Sequence, residues 1–401
     1  MLTVDDIRKE FPIFRQRKGL VYLDSASTAQ KPQSVIDSVS SYYSNYNANI
    51  HRALYEIGEK ATNEYEAVRE KVREFINVPD THEIIFTRSS TESINLVAHA
   101  WGNKNLSDEK GVLISEMEHH SNLVPWQLIT KKVSSFLNYI SLLDDGTLDL
   151  SSIEKKMHQI GLIAITHQSN VFGTINPISN IVNLAKSKGI VSLIDGAQAA
   201  PHFPVNLNEI DCDFYVFSSH KMVGPTGAGV LIGRRTLLEE MDPFLSGGEM
   251  INNVTLNEST WNDVPWKFEA GTPNIAQVIG LGAAIDFLAE VGLDKIQQHE
   301  EQLLHYGLEE LSKIEGIVIY GNPPERGAVI PFNVKNIHPH DLAKFLDTDK
   351  ICIRAGHHCA QPIMNKLGIS ASARASFYLY NDTNDIDQLI QSIKKTANIF
   401  V

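Results

Sequence analysis

Lys221 stands where a buried strand should end. In Phe214-Tyr215-Val216-Phe217-Ser218-Ser219-His220-Lys221 the aromatic and branched run reads as a strand, and it stops at two serines, a histidine and the lysine. An unpaired ammonium is expensive to desolvate there. A Schiff base with a carbonyl cofactor would give the lysine a chemical reason to be there, whereas snorkelling to water is the plainer one. Three other strand-like runs also end in polar clusters: Glu118-His119-His120, His167-Gln168-Ser169-Asn170 and Asp195-Gly196-Ala197-Gln198. An aspartate such as Asp195 can pair with a protonated pyridine nitrogen, which keeps pyridoxal phosphate acting as an electron sink, or it can cap a helix. His119 can stack on an aromatic cofactor and move protons, or sit as a hydrogen-bonded half-buried histidine. Ser89, Ser90 and Thr91 open a helix, where free N–H groups and hydroxyls bind phosphate; Ser89 and Glu92 also fit a capping box.

A second group lies near the C-terminus. Ile351-Cys352-Ile353-Arg354-Ala355-Gly356-His357-His358-Cys359-Ala360 reads as a strand running into a glycine-containing loop. Arg354 and the adjacent histidines make that loop electropositive, which favours a thiolate at Cys359. Cys352, among isoleucines, reads as a small apolar residue, and Cys212, between two aspartates, as structural. A metal site at His357-His358-Cys359 competes. Consecutive residues of an extended chain point to opposite sides, however, and no Cys-x-x-Cys pair accompanies them. Arg374, entering an apolar strand-like run, suits a bidentate grip on a substrate carboxylate or a structural ion pair.

These residues need a scaffold that brings strand ends together. The chain has 401 residues, 43% hydrophobic and 21% charged, which is ordinary globular composition with length for two domains. Alternating strand and helix signals predict an α/β domain with a mostly parallel sheet flanked by helices over residues 17–285. Ligands of such sheets sit at the carboxyl ends of the strands. Long amphipathic helices at 275–291 and 294–314, short strands and a last helix near 384–398 predict a smaller α+β domain over 286–401, joined by residues 1–16. The net charge of −13 argues against nucleic acid or an anionic membrane as partner. No apolar run is long enough to span a bilayer, and the first residues lack a signal peptide's basic start and apolar core. Three cysteines make no disulfide framework, so a reducing cytoplasm is expected.

Taken together, the chain resembles the group II, Suf-type cysteine desulfurases, within the class-V aminotransferase family of fold-type I pyridoxal-phosphate enzymes. The resemblance covers nearly the whole chain. Its marks are Tyr22-Leu23-Asp24-Ser25-Ala26, Asn49-Ile50-His51-Arg52, Glu118-His119-His120-Ser121-Asn122, Asp195-Gly196-Ala197-Gln198, Ser218-Ser219-His220-Lys221, Phe268-Glu269-Ala270-Gly271-Thr272-Pro273 and the Arg354 to Ala360 loop. It implies that Lys221 holds the cofactor, Asp195 pairs with its pyridine nitrogen, Gln198 contacts its phenolic oxygen and His119 stacks on the ring. Ser90, Thr91, Ser218 and His220 would bind its phosphate, with Thr272 reaching across from a second subunit of a homodimer. Asn170 and Arg374 would hold the substrate carboxylate, and Cys359, its loop positioned by Arg354, would take sulfur from L-cysteine, leaving L-alanine. The persulfide would pass to a Suf-type sulfur-acceptor protein for iron–sulfur cluster assembly. Selenocysteine lyase or aminotransferase activity is the alternative within this class. Ser89 and Ser219 stand where many relatives have glycine, which bears on the phosphate contacts.

Overall fold

The computed structural model describes residues 3–399. The main sheet has seven strands. They are β2 (His82–Thr87), β3 (Gly111–Ser115), β4 (Leu137–Ile140), β5 (Ile160–Thr166), β6 (Val191–Asp195), β7 (Phe214–Ser218) and β8 (Gly229–Arg234). A two-residue strand, β1 (Val21–Tyr22), precedes them. The spatial order is β2-β8-β7-β6-β5-β3-β4. Only β8 runs against its neighbours, so the carboxyl ends of the other six strands face one edge.

Both faces of this sheet are covered, and the period-two alternation of side chains divides each strand between two cores. Leu113, Ile163, Ile165, Ile194, Tyr215 and Phe217 enter one core. Val112, Ile114, Leu162, Ala164, Leu193, Phe214 and Val216 enter the other. Helices Gln33–Asn45, Glu56–Phe75 and Ile275–Val291 pack on the first. The last of these was expected to be amphipathic. Its polar face is narrow: only Asp286, Ala289 and Glu290 are exposed, while Ile275, Val278, Ile279, Leu281, Ile285, Leu288 and Val291 are all buried.

The smaller unit is a four-stranded antiparallel sheet of order β11-β12-β15-β14. Its strands are β11 (Ile317–Ile319), β12 (Val329–Val334), β14 (Arg354–Gly356) and β15 (Ser372–Ser376). Helices Leu293–Ser312, Pro339–Thr348 and Thr383–Ala397 cover it. The expected boundary at 285 falls inside a helix that continues to Val291, and the chain bends by 73° before the next helix starts at Leu293. Residues 21–24 also differ from expectation. β1 pairs in parallel with β13 (Ile351–Cys352), and Val21 and Leu23 join the core of the smaller unit. Arg8 ties the N-terminal helix to that unit through Tyr380 O, Asp382 and Asp385. The first two and last two residues assigned to the smaller unit lie outside the described residues. A hairpin, β9 (Ile251–Val254) with β10 (Ser259–Trp261), stands apart from both sheets.

Candidate active site

Every strand that ended in a polar cluster delivers it to one cavity of about 470 Å³ at the carboxyl edge of the main sheet. The turn after β7 sets Lys221 in its wall, the end of β6 supplies Asp195 and Gln198, and the loop after β5 brings Asn170. The segment after β3 brings His119, and the smaller unit adds Arg354, Cys359 and Arg374. Ser90, Thr91, Ser218 and His220 complete the set. Thr272 is the exception: it lies in a separate pocket beside Tyr65, Phe86 and Phe268.

Lys221 Nζ makes no hydrogen bond among the described residues. Burial pushes its ammonium down from its ordinary range, as does Arg374, while Asp195 and Cys359 pull it back up. Asp195, 5% exposed, accepts Ala197 N at 3.0 Å; burial raises its carboxyl and the Lys221 charge opposes this. Gln198 donates Nε2 to Ala26 O at 2.6 Å and leaves Oε1 buried without a partner. His119 Nδ1 accepts from Ser121 N at 3.1 Å, so the neutral ring carries its proton on Nε2. Burial, then the Lys221, His120 and Arg374 charges, lowers its pKa to about 3, which keeps the ring neutral.

At the far end of the cavity the helix Ser90–Ala100 points its first turn inward. Ser89 caps it through Glu92 N. The capping box is only half formed, because the Glu92 carboxylate turns to Arg88 N and the Arg88 guanidinium. Ser218 Oγ accepts Ser90 N and meets Ser90 Oγ, both at 2.8 Å. Gly229 permits this approach: a Cβ there would lie 2.4 Å from Ser89 Cα. Burial, with the Lys221 and Lys31 charges, lowers the His220 pKa to about 4.

Arg374, 2% exposed on β15, donates Nη1 to Asn170 O at 2.9 Å and Nη2 to Asp24 Oδ1 at 3.2 Å, leaving its buried Nε unpartnered. Arg354 pairs with the other Asp24 oxygen at 2.9 Å and with Ser27. Asp24 therefore bridges two arginines that face each other across β14 and β15. Asn170 Nδ2 is committed to His358 O at 2.7 Å. Cys359 is exposed to the cavity and close enough to act on the charges of both Lys221 and Arg374. The competing metal reading finds no ligand set: His358 Nε2 is taken by Ser372 Oγ, and no group of three metal-ligating side chains gathers among the described residues.

The sequence reading did not assign Asp24, His120 or Glu118. Glu118 is 1% exposed and accepts from Ser115 Oγ, Asn122 Nδ2 and Thr166 N, bracing the ends of β3 and β5. Burial lifts its pKa to about 8 against those donors, and Asp195 adds to the rise. A buried carboxylate next to His119 in the sequence was the available signal.

His167, 8% exposed under Asp195, gives a pH prediction. Burial lowers its pKa to about 4, so the unfolded chain takes up a proton below pH 6.5 that the folded chain refuses. This histidine's contribution to stability is complete above 6.5 and is lost as pH falls toward 4. His167→Gln is therefore expected to lose about 1–2 kcal/mol less than the parent protein between pH 7 and pH 5. Urea unfolding at both pH values measures this, and identical losses would refute it.

The cavity fits a pyridine aldehyde bearing a phosphate. An amine without a partner, a buried carboxyl, an orphan acceptor on Gln198 and a hydroxyl-lined helix start match that group's aldehyde, ring nitrogen, phenol and phosphate in kind.

Comparison with known proteins agrees. The class-V aminotransferase family model matches residues 21–389. A probable cysteine desulfurase of Halalkalibacterium halodurans is 50% identical, over 100% of this chain and 99% of the relative. One from Staphylococcus epidermidis is 48% identical, over 99% and 97%. Among solved structures, the cysteine desulfurase CsdA of Escherichia coli superposes with a TM-score of 0.93 at 35% identity, covering 100% of both chains. The apo cysteine desulfurase of Thermococcus onnurineus NA1 gives 0.94 at 37% identity, covering 98% of each.

Proposed function

The chain belongs to the class-V aminotransferase family and is a cysteine desulfurase, and on that premise we propose how its own residues divide the work. The family implies pyridoxal phosphate. Bound here, it supplies an electron sink that acidifies the substrate Cα–H and loosens the Cβ–S bond. Lys221 would hold it, with Asp195 keeping a proton on the ring nitrogen, Gln198 Oε1 accepting from the phenol and Ser90, Thr91, Ser218 and His220 around the phosphate. Lys221 Nζ, its pKa lowered by burial, carries the proton taken from Cα. His119 shields the cavity and keeps Nε2–H as a donor. Arg374 binds the substrate carboxylate, and Arg354 steadies the cysteine loop through Asp24 and Ser27. Cys359 Sγ attacks the substrate sulfur; the S–S bond forms as the Cβ–S bond breaks. L-cysteine and a thiol become L-alanine and a persulfide, with no outside oxidant or reductant.

The observation that carries this reading is that Lys221 and Cys359, 138 positions apart in sequence (359 − 221), line one cavity, with Cys359 close enough to act on the Lys221 ammonium. Arg374→Lys tests it. Losing the planar fork is expected to raise KM for L-cysteine by roughly 10-fold or more, with a much smaller fall in kcat. An unchanged KM would remove Arg374 from the substrate site.

A homodimer is part of the proposal. Leu54 and Leu256 are almost wholly exposed, Val254 and Trp261 are partly so, and Thr272 is left outside its own chain's cavity, which supports a second copy as their cover. Light scattering is expected to give twice the chain mass; a fully active monomer contradicts it. Three free cysteines are consistent with a reducing cytoplasm, and an exposed Cys359 with delivery of sulfur to a Suf-type acceptor for iron–sulfur assembly. Selenocysteine would fit the same contacts.

A further inference from the structure

Cys359 is held in a conformation that its own loop does not explain. His358 and Cys359 are successive non-glycine residues in the left-handed region, with φ of 53° and 54°, and Gly356 precedes them at 130°. Two such residues are strained, and they persist only where their surroundings over-determine them. Inside the loop only one hydrogen bond, Ala360 N to His357 O at 2.9 Å, supports the turn.

The His358 ring is tied within the smaller unit to Ser372 Oγ of β15 at 2.9 Å, and the main domain supplies two further anchors to the backbone of His358 and Cys359. Asn170 Nδ2 donates to His358 O at 2.7 Å. The backbone N–H of His120 donates to Cys359 O, also at 2.7 Å. The His120 ring then accepts Gln361 N at Nε2, 3.1 Å away, so its neutral form carries the proton on Nδ1. His120 therefore brackets Cys359, meeting it at the carbonyl and again two residues on. His120 lines the cavity as His119 does, but the chemistry assigned above gives its ring no step.

We propose that His120 is a positioning residue that, together with Asn170, clamps the Cys359 loop against the main domain and so fixes the thiol over Lys221 and Arg374. The clamp sits across the two units, so its strength sets how often the thiol leaves the attacking position. This rests on the reading of Cys359 as the sulfur-accepting thiol.

The test uses His120→Ala and His120→Leu, which remove the ring acceptor, and His120→Gln, whose Oε1 can accept Gln361 N in its place. Alkylation of Cys359 by iodoacetamide is followed on the full-length apoprotein by peptide mass spectrometry, and alanine formation on the reconstituted enzyme. The Ala and Leu variants are expected to alkylate about 5-fold faster and to lose about 5- to 10-fold in kcat with KM within about twofold, as loss of one orienting contact predicts. The Gln variant is expected to fall near the parent in both. Unchanged alkylation in Ala and Leu overturns the clamp. So does faster alkylation with unchanged kcat, or a Gln variant no better than Leu. The alkylation arm needs no turnover. A parent protein that forms no persulfide would sink the desulfurase reading while leaving the clamp measurable.

Discussion

Replacing Lys221 with alanine is expected to lower alanine formation from L-cysteine by at least ~10⁴-fold, because one amine is assigned both the hold on the cofactor and the proton at Cα. The position supports that double duty. Among the described residues Nζ has no hydrogen bond to give up, burial favours its neutral form, and Asp195 lies close enough to pull against that shift. The same variant separates the two duties. Borohydride reduction is expected to fix the cofactor on the Lys221 peptide of the parent protein and nowhere in the variant. Added methylamine is expected to restore part of the proton transfer without restoring the attachment. A variant that keeps more than about a tenth of parent activity would remove Lys221 from the chemistry.

Cys359→Ala carries the second large effect, a loss of roughly 10³-fold or more in alanine formation from L-cysteine, since no other described thiol reaches the cavity. Cys212 is buried on the far side of β7's start, where burial and Asp213 push its thiol up and out of use. Cys352, half-buried, is also pushed up by burial, and it does not line the cavity. Cofactor binding is expected to survive the change, because among the described residues Cys359 Sγ makes no hydrogen bond to any residue assigned to that task. The visible absorption of the reconstituted variant checks this, alongside the alanine assay. Selenocysteine in the same assay reports whether the lost rate belongs to sulfur attack alone: selenium leaves more readily, so a smaller loss there is expected. Equal rates on L-cysteine for parent and variant would end the assignment.

The parts of this site that were legible in the sequence were strand ends. Val112-Leu113-Ile114, Leu162 to Ile165, Val191 to Ile194 and Phe214 to Phe217 are apolar because both faces of the sheet are covered, so the first polar residue after each run marked the carboxyl edge. That placed His119, Asn170, Asp195 and Lys221 together without any knowledge of the topology. The resemblance then supplied roles to residues that pattern alone left divided between cap and catalyst. What stayed hidden were partnerships between distant segments. Nothing in Tyr22-Leu23-Asp24 announces that Asp24 will join Arg354 to Arg374, because the contact depends on β1 pairing with β13. The resemblance implied that Asn170 holds the substrate carboxylate; its amide donates here to a carbonyl contributed 188 positions later. The boundary expected at 285 falls inside a helix that the sequence did show, Ile275–Val291, whose end is set by Gly292 at φ 92°.

In this mechanism the thiol of Cys359 receives the substrate's sulfur inside the cavity that Lys221 lines. Mass spectrometry of the reconstituted protein after brief exposure to L-cysteine, without reductant, reads this directly. One added sulfur atom is expected on the peptide carrying Cys359, and none in Lys221→Ala. Sulfur on Cys212 or Cys352 instead, or alanine released while the Cys359 peptide keeps its original mass, would contradict it.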